Sequence, residues 1–219
     1  MKSVGTTPLV CVHGLAGSSR WWAPIVGDLE ASGHVLLLDL PRSVPPGELP
    51  GWVTGEIEKL GERPVDLVGH SLGGLVALRV AAARPELVRK LILIAPPGIQ
   101  PRRSAIAYGP PLVASLLRAR PRFLVRVATD AARAGPRNLL RGGAYVAATD
   151  ARSEAARVQT PTLLVWGEHD RMTPSTIGQE WLEALPDARL HVIPGASHVP
   201  MVETPRELVA VIGAFRCEA

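Results

Sequence analysis

Cysteine is scarce in this chain: there are two, Cys11 inside an apolar run and Cys217 near the end. Neither their number nor their spacing makes a disulfide framework or a thiolate metal site. Cys11 reads as a small buried hydrophobe and Cys217 as a tail thiol. Histidines and carboxylates do not cluster at ligand spacing either, so no metal and no cofactor is expected. No apolar run approaches the ~18 residues of a membrane-spanning helix. The opening residues, MKSVGTTPLVCVHG, lead straight into a core-strand pattern. They lack the separate apolar segment and small-residue cleavage site of a signal peptide, and the expectation is a cytoplasmic protein. Lysine is nearly missing, with three (Lys2, Lys59, Lys90) against 21 arginines.

What is present is the composition of one soluble globular domain: 219 residues, 47% hydrophobic and 20% charged, enough to bury a substantial core. The net charge of +4 is unevenly spread. Residues 100–145 hold nine arginines and one acid, Asp130, which makes that segment +8 and the remainder −4. The basic character is therefore local, and it bears on what the segment meets rather than on the whole surface.

Six short apolar runs punctuate the sequence: Pro8–His13, His34–Leu40, Val65–Val68, Leu91–Ala95, Thr162–Trp166 and Arg189–Ile193. They are continuous in Val, Leu and Ile rather than alternating, which predicts strands of a parallel sheet buried on both faces. Helical periodicity fills the gaps over Ser19–Ala31, Thr54–Leu60, Leu72–Ala83, Trp181–Leu185 and Pro205–Phe215. Strand then helix, repeated, predicts an α/β fold with right-handed crossovers. From Pro96 to about Arg157 the alternation stops, and only helical pieces (Leu112–Leu117, Phe123–Ala132, Leu139–Ala148) stand between breakers. The expected organisation is an α/β core made of residues 1–95 and 158–219, with residues 96–157 inserted as a helical lid over the sheet's carboxyl edge.

The stretch Gly69-His70-Ser71-Leu72-Gly73-Gly74 follows one of these strands and opens a helix, the context in which G-x-S-x-G forms a nucleophile elbow. A serine hydroxyl needs a base, and the base needs an orienting acid. The elbow therefore demands an acid and then a histidine downstream, each just past a core strand. Asp170 follows Leu163–Trp166, and His198 follows Leu190–Ile193. All three would gather on one edge of a parallel sheet, where ligands bind in such folds. Oxyanion donors are expected from the backbone N–H of Leu72, after the nucleophile, and from the loop His13–Ser18, where the N–H of Leu15 is the choice.

At this point the chain resembles the serine hydrolases of the α/β-hydrolase fold. The resemblance rests on Val12–Trp22 (VHGLAGSSRWW), Leu36–Pro41 (LLLDLP), Leu67–Gly74 (LVGHSLGG), Pro161–Asp170 (PTLLVWGEHD) and Ile193–Pro205 (IPGASHVPMVETP). It implies Ser71 as nucleophile, His198 as general base and then acid, Asp170 as orienter, and Leu15 and Leu72 as oxyanion donors. Two departures stand out. Met1–Thr7 is too short for the antiparallel strand pair that usually opens the fold, and Arg42-Ser43-Val44 replaces the usual glycine-histidine-glycine. The implied architecture is a reduced version with six parallel strands and an exposed first edge. An aspartate-nucleophile branch is excluded by Ser71.

Other residues carry second readings. His13 and His70 read as hydrogen-bonding supports of the elbow. His169, Glu168 and Asp39 are rivals of the base and the acid, and their placement puts them behind His198 and Asp170. Trp22, His70 and Val199 are candidates for substrate contact, Trp22 having an equal claim to the helix core. The reaction expected is hydrolysis of small carboxylic esters of short to medium acyl chain through an acyl-enzyme. A thioesterase acting on anionic acyl carriers is the alternative that the +8 segment motivates. Lactonases, carbon–carbon bond hydrolases and perhydrolases share the same triad, and a receptor-like binder is the non-enzymatic reading. Nucleic-acid binding is not expected, since the basic segment has few aromatics (Tyr108, Phe123, Tyr145) and no binding motif.

Overall fold

In the computed structural model, residues 7–61, 63–99 and 121–218 are described. The expected helix Leu112–Leu117 and the arginines Arg102, Arg103, Arg118 and Arg120 lie outside them. All six expected strands form: β1 (Leu9–Val12), β2 (Val35–Leu38), β3 (Val65–His70), β4 (Val88–Ile94), β5 (Thr162–Gly167) and β6 (Ala188–Ile193). They make one sheet in the order β2-β1-β3-β4-β5-β6. Every pairing is parallel. β2 is an edge strand, and Val35, Leu36 and Leu37 are only partly covered.

Both faces of the sheet are buried, which is why the strands read as unbroken apolar runs. Successive residues of one strand enter opposite cores, as the period of two requires. Val10, Val12, Leu91, Leu93, Leu164 and Trp166 join α2 (Leu49–Leu60), α3 (Leu72–Ala83) and α7 (Thr176–Ala184) on one face. Leu9, Cys11, Ile92, Ile94, Leu163 and Val165 face the other, against α1 (Val26–Glu30) and α9 (Pro205–Cys217). Between β4 and β5 come α4 (Pro121–Ala134), α5 (Pro136–Ala148) and the short α6 (Arg152–Ala155), and α8 (Pro200–Glu203) precedes α9.

Several boundaries differ from the sequence expectation for identifiable reasons. α2 begins at Leu49 rather than Thr54, and Pro50 is accommodated in its first turn, because a first-turn residue needs no intrahelical N–H partner. The helix expected over Ser19–Ala31 is split into a single 3-10 turn at Ser19–Trp22 and α1, with Pro24 at the break. At the amino-terminal edge of the sheet, buried Asp66 of β3 receives Arg89 of β4 (2.6 and 2.8 Å) and Arg216 of α9 (2.8 Å). Lys90 Nζ donates to the carbonyls of Phe215 and Glu218, 2.6 Å each.

The register lines up the other ends. Val12 stands beside Gly69, His70 beside Ile94, Ile94 beside Val165, and Gly167 beside Ile193. The loops that leave β1, β3, β5 and β6 therefore emerge along one carboxyl edge.

Candidate active site

Ser71 sits between β3 and α3 at φ 51°, ψ −121°, a left-handed conformation that costs a side-chain-bearing residue of order 1–3 kcal/mol. The neighbours are glycines out of necessity. A Cβ on Gly69 would strike the Gly73 carbonyl, and one on Gly73 would strike the carbonyls of Val12 and His13. The turn is anchored on both sides: Ser71 N–H donates to Ile94 O (2.8 Å), and the N–H groups of Gly74 and Leu75 donate to Ser71 O at 2.8 and 3.2 Å. The first N–H groups of α3 have no partner within the helix, and its positive dipole end lies here.

Asp170, in the loop after β5, is buried and accepts four hydrogen bonds. Its Oδ1 takes the N–H groups of Met172 (2.8 Å) and Thr173 (3.0 Å). Its Oδ2 takes the Thr173 hydroxyl and His198 Nδ1, both at 2.8 Å. A carboxylate only accepts, so Nδ1 carries the proton and Nε2 is the free, basic nitrogen. The electrostatics of the pair agree. Burial pushes the Asp170 pKa up, but the His198 ring and the Thr173 donors outweigh it and leave it lowered. Burial pulls the His198 pKa down, but the Asp170 charge and hydrogen bond leave it raised.

The backbone around His198 is gripped from two directions. His70 Nε2 donates to His198 O (2.8 Å), and Ser197 N–H donates to Glu203 Oε2 (2.5 Å). The His70 and His198 rings lie 5.0 Å apart between centroids, so the residue preceding Ser71 and the histidine loop are in direct contact. The loop after β1 comes equally close, since a Cβ on Gly14 would lie 3.1 Å from Ser71 Cβ. Among the described residues, neither the Leu15 nor the Leu72 N–H is engaged in a backbone hydrogen bond.

This sheet, elbow and strand-end chemistry match the Alpha/beta hydrolase family over residues 9–211. The chain belongs to that family. Among family members it is similar to a protein of Pseudomonas savastanoi pv. phaseolicola, provisionally named carbamate hydrolase RutD, with 32% identity over 90% of this chain and 88% of the relative. It is also similar to the pimeloyl-[acyl-carrier protein] methyl ester esterase of Chromobacterium violaceum, 29% identical over 97% of this chain and 95% of that one. In fold it resembles the esterase EaEST of Exiguobacterium antarcticum, with a TM-score of 0.86 at 16% identity, covering 98% of this chain and 93% of that chain.

Within this alpha/beta hydrolase, several residues singled out by sequence are buried or engaged elsewhere. Trp22 has 0% exposure and belongs to the apolar cluster of Ile25, Leu29 and Phe215. Its candidacy for substrate contact gives way to the core role, because the 3-10 turn directs it inward. His70 is also fully covered, burial drives its pKa down to about 3 and it stays neutral; it supports the His198 backbone instead of lining a cleft. Val199 is buried at the start of α8. His13 ties the loop after β1 to β2, with Nδ1 donating to Gly14 O (2.8 Å) and Nε2 accepting the Leu40 N–H (3.0 Å). Asp39 is 64% exposed in its side chain and holds Ser19. His169 is exposed beside Glu168. Neither approaches the Asp170–His198 pair through a hydrogen bond.

Sequence reasoning missed Trp21, Thr173 and Glu203. Thr173 follows Asp170 by three residues, a local spacing that could have flagged it. Trp21 is separated from its partner Asp130 by 109 residues, and no local pattern carries that information. A cleft opens beside the elbow and is lined by Leu15, Leu72, Leu40, Arg42, Asn138 and Arg141 among others. Ser71, Asp170 and His198 are not in its wall, whereas both candidate oxyanion residues are.

Proposed function

We propose that the protein is a serine hydrolase of carboxylic esters with short to medium acyl chains, working through an acyl-enzyme. The observation that carries this reading is the Asp170–His198 contact at 2.8 Å, on the same carboxyl edge of the sheet as a serine held in a strained elbow. Ser71 Oγ attacks the ester carbonyl and His198 Nε2 takes its proton. Asp170 holds the ring and stabilises the imidazolium that results. The negative charge on the carbonyl oxygen falls to the N–H groups of Leu15 and Leu72, and a lost donor of this kind costs about 10²–10³ in rate. His198 then protonates the leaving alcohol and activates water to release the acid. No cofactor enters this cycle.

The test is Ser71→Ala assayed on a p-nitrophenyl ester series of rising chain length. Hydrolysis should disappear while the unfolding midpoint stays near wild type. A variant that still turned over esters at the wild-type rate would overturn the assignment.

A second reading is supported by charge. We take α4 and α5 as part of a lid over the site, and their arginines Arg122, Arg137 and Arg141 have no carboxylate partner among the described residues. An ester presented on an anionic carrier would suit that surface, in keeping with the name of the Chromobacterium relative. Turnover of such substrates should fall steeply with salt while neutral esters are unaffected.

A further inference from the structure

One polar contact of the inserted helices lies on the loop that carries a proposed oxyanion donor. Asp130, on α4, is only 3% exposed, and it is the lone acid in the nine-arginine segment. Its Oδ2 accepts the Ser18 hydroxyl (2.8 Å) and the Trp21 indole N–H (3.0 Å). Its Oδ1 takes the Arg20 guanidinium, with Arg133 3.6 Å away. One turn earlier on the same helix, Arg126 Nη1 donates to the Arg20 carbonyl (2.7 Å). Three side chains from a four-residue stretch thus converge on one buried carboxylate from another part of the fold. Burial works against its charge, but the Ser18, Trp21 and Arg20 donors prevail and hold its pKa below the usual range.

The same stretch is clamped elsewhere. Asp39 holds the Ser19 N–H (2.6 Å) and hydroxyl (2.8 Å) from the end of β2. Leu15 packs so closely on α5 that a Cβ on Gly142 would collide with it. The Trp21 ring meets Phe123 of α4 edge-on at 5.1 Å, and lies 6.0 Å from the His70 ring. His70 in turn holds the His198 carbonyl. A salt bridge that served only to offset the surrounding arginines would be exposed and would not recruit a hydroxyl and an indole.

We propose that Asp130 is a positioning residue that ties the Leu15-bearing loop to α4, so that the oxyanion site is complete only when the inserted helices are docked. This rests on the reading of Leu15 as an oxyanion donor. Displacing a donor by a fraction of its hydrogen-bond length weakens it without deleting it, so the loss falls short of removing the donor outright.

The experiment compares wild type, Asp130→Ala, Asp130→Asn and Trp21→Phe in two measurements. The first is the rate at which a fluorophosphonate labels Ser71, together with kcat and KM on a neutral ester. Asp130→Ala should lower labelling and kcat by about 10- to 100-fold, with KM changed by less than about threefold. Asp130→Asn should give an intermediate loss, because the amide keeps one acceptor oxygen but no charge for Arg20. Trp21→Phe, which keeps an aromatic ring, though a smaller one, and removes one donor, provides a second readout should Asp130→Ala fold poorly. The second measurement is hydrogen–deuterium exchange. Residues 14–22 and 121–134 should lose protection together. Wild-type labelling rates in Asp130→Ala, or lost protection in 121–134 with 14–22 unchanged, would overturn the proposal. Failure of the wild type to react with the probe would instead defeat the serine-hydrolase reading, and the exchange measurement would still decide the tie.

Discussion

A single side-chain contact sets the chemistry that His198 can perform. Its pKa is raised because the Asp170 charge outweighs burial, and as the proposed base it is competent only when neutral. We predict that kcat/KM rises with pH through an acid limb centred above the ordinary histidine value of 6.5. Asp170→Asn removes the raising influence and leaves burial, so that limb should move to lower pH. It should also cut kcat by about 10⁴, since the amide favours the wrong tautomer. A pH–rate profile of both proteins checks the two effects together. The same pair links stability to pH. The contribution of Asp170, whose pKa is lowered, holds above its unfolded value of 3.8 and is lost as pH falls through the folded value. That of His198 is full below 6.5 and is lost as pH rises through its raised value. Ser71, Asp170 and His198 could be singled out from sequence because each stands a few residues past an apolar run. Trp21 was not, because a 3-10 turn replaced the expected helix and rotated the two tryptophans into different environments.

At the scale of elements, the two ends of the sheet do different jobs. The carboxyl edge carries the strained elbow and the groups proposed to react, while the amino edge carries the Asp66–Arg89–Arg216 cluster that fastens α9 to β3 and β4. Asp66 has no exposed side-chain surface and Arg216 only 8%, so deleting the acid leaves a buried, uncompensated guanidinium. Asp66→Ala should lower stability by about 3–5 kcal/mol, read as a shift in the urea midpoint. Ester turnover at low temperature should be little changed, because the site lies at the far end of the strands. Neither arginine could be assigned to Asp66 from sequence, where Arg216 stands 150 residues away. The strands themselves were legible, because burial on both faces leaves runs that no amphipathic helix would show. Helix ends were less so: α2 was expected from Thr54, yet it begins at Leu49, with Pro50 in a first turn where its missing N–H costs nothing.

The whole molecule puts its two thiols in opposite environments. Cys11 lies in the sheet's interior, and burial pushes its thiol up to about 12, whereas Cys217 is exposed. A thiol reagent should titrate one cysteine per native chain and two after denaturation, and loss of Cys11 protection should report global unfolding. No helix among the described residues is long and apolar enough to cross a membrane. By itself the sequence determined the parallel sheet and the family, and it singled out the elbow serine and the acid and histidine proposed as its partners. Those features are written in local apolar runs, in glycines that a tight turn forces, and in residues adjoining strand ends. Only the tertiary structure decided that the lone acid of the basic segment reaches the loop after β1. It also decided that His70 braces the His198 backbone and that Trp22 is core while Trp21 faces Asp130. Contacts between residues a hundred or more positions apart depend on how layers pack, and no spacing along a chain records that.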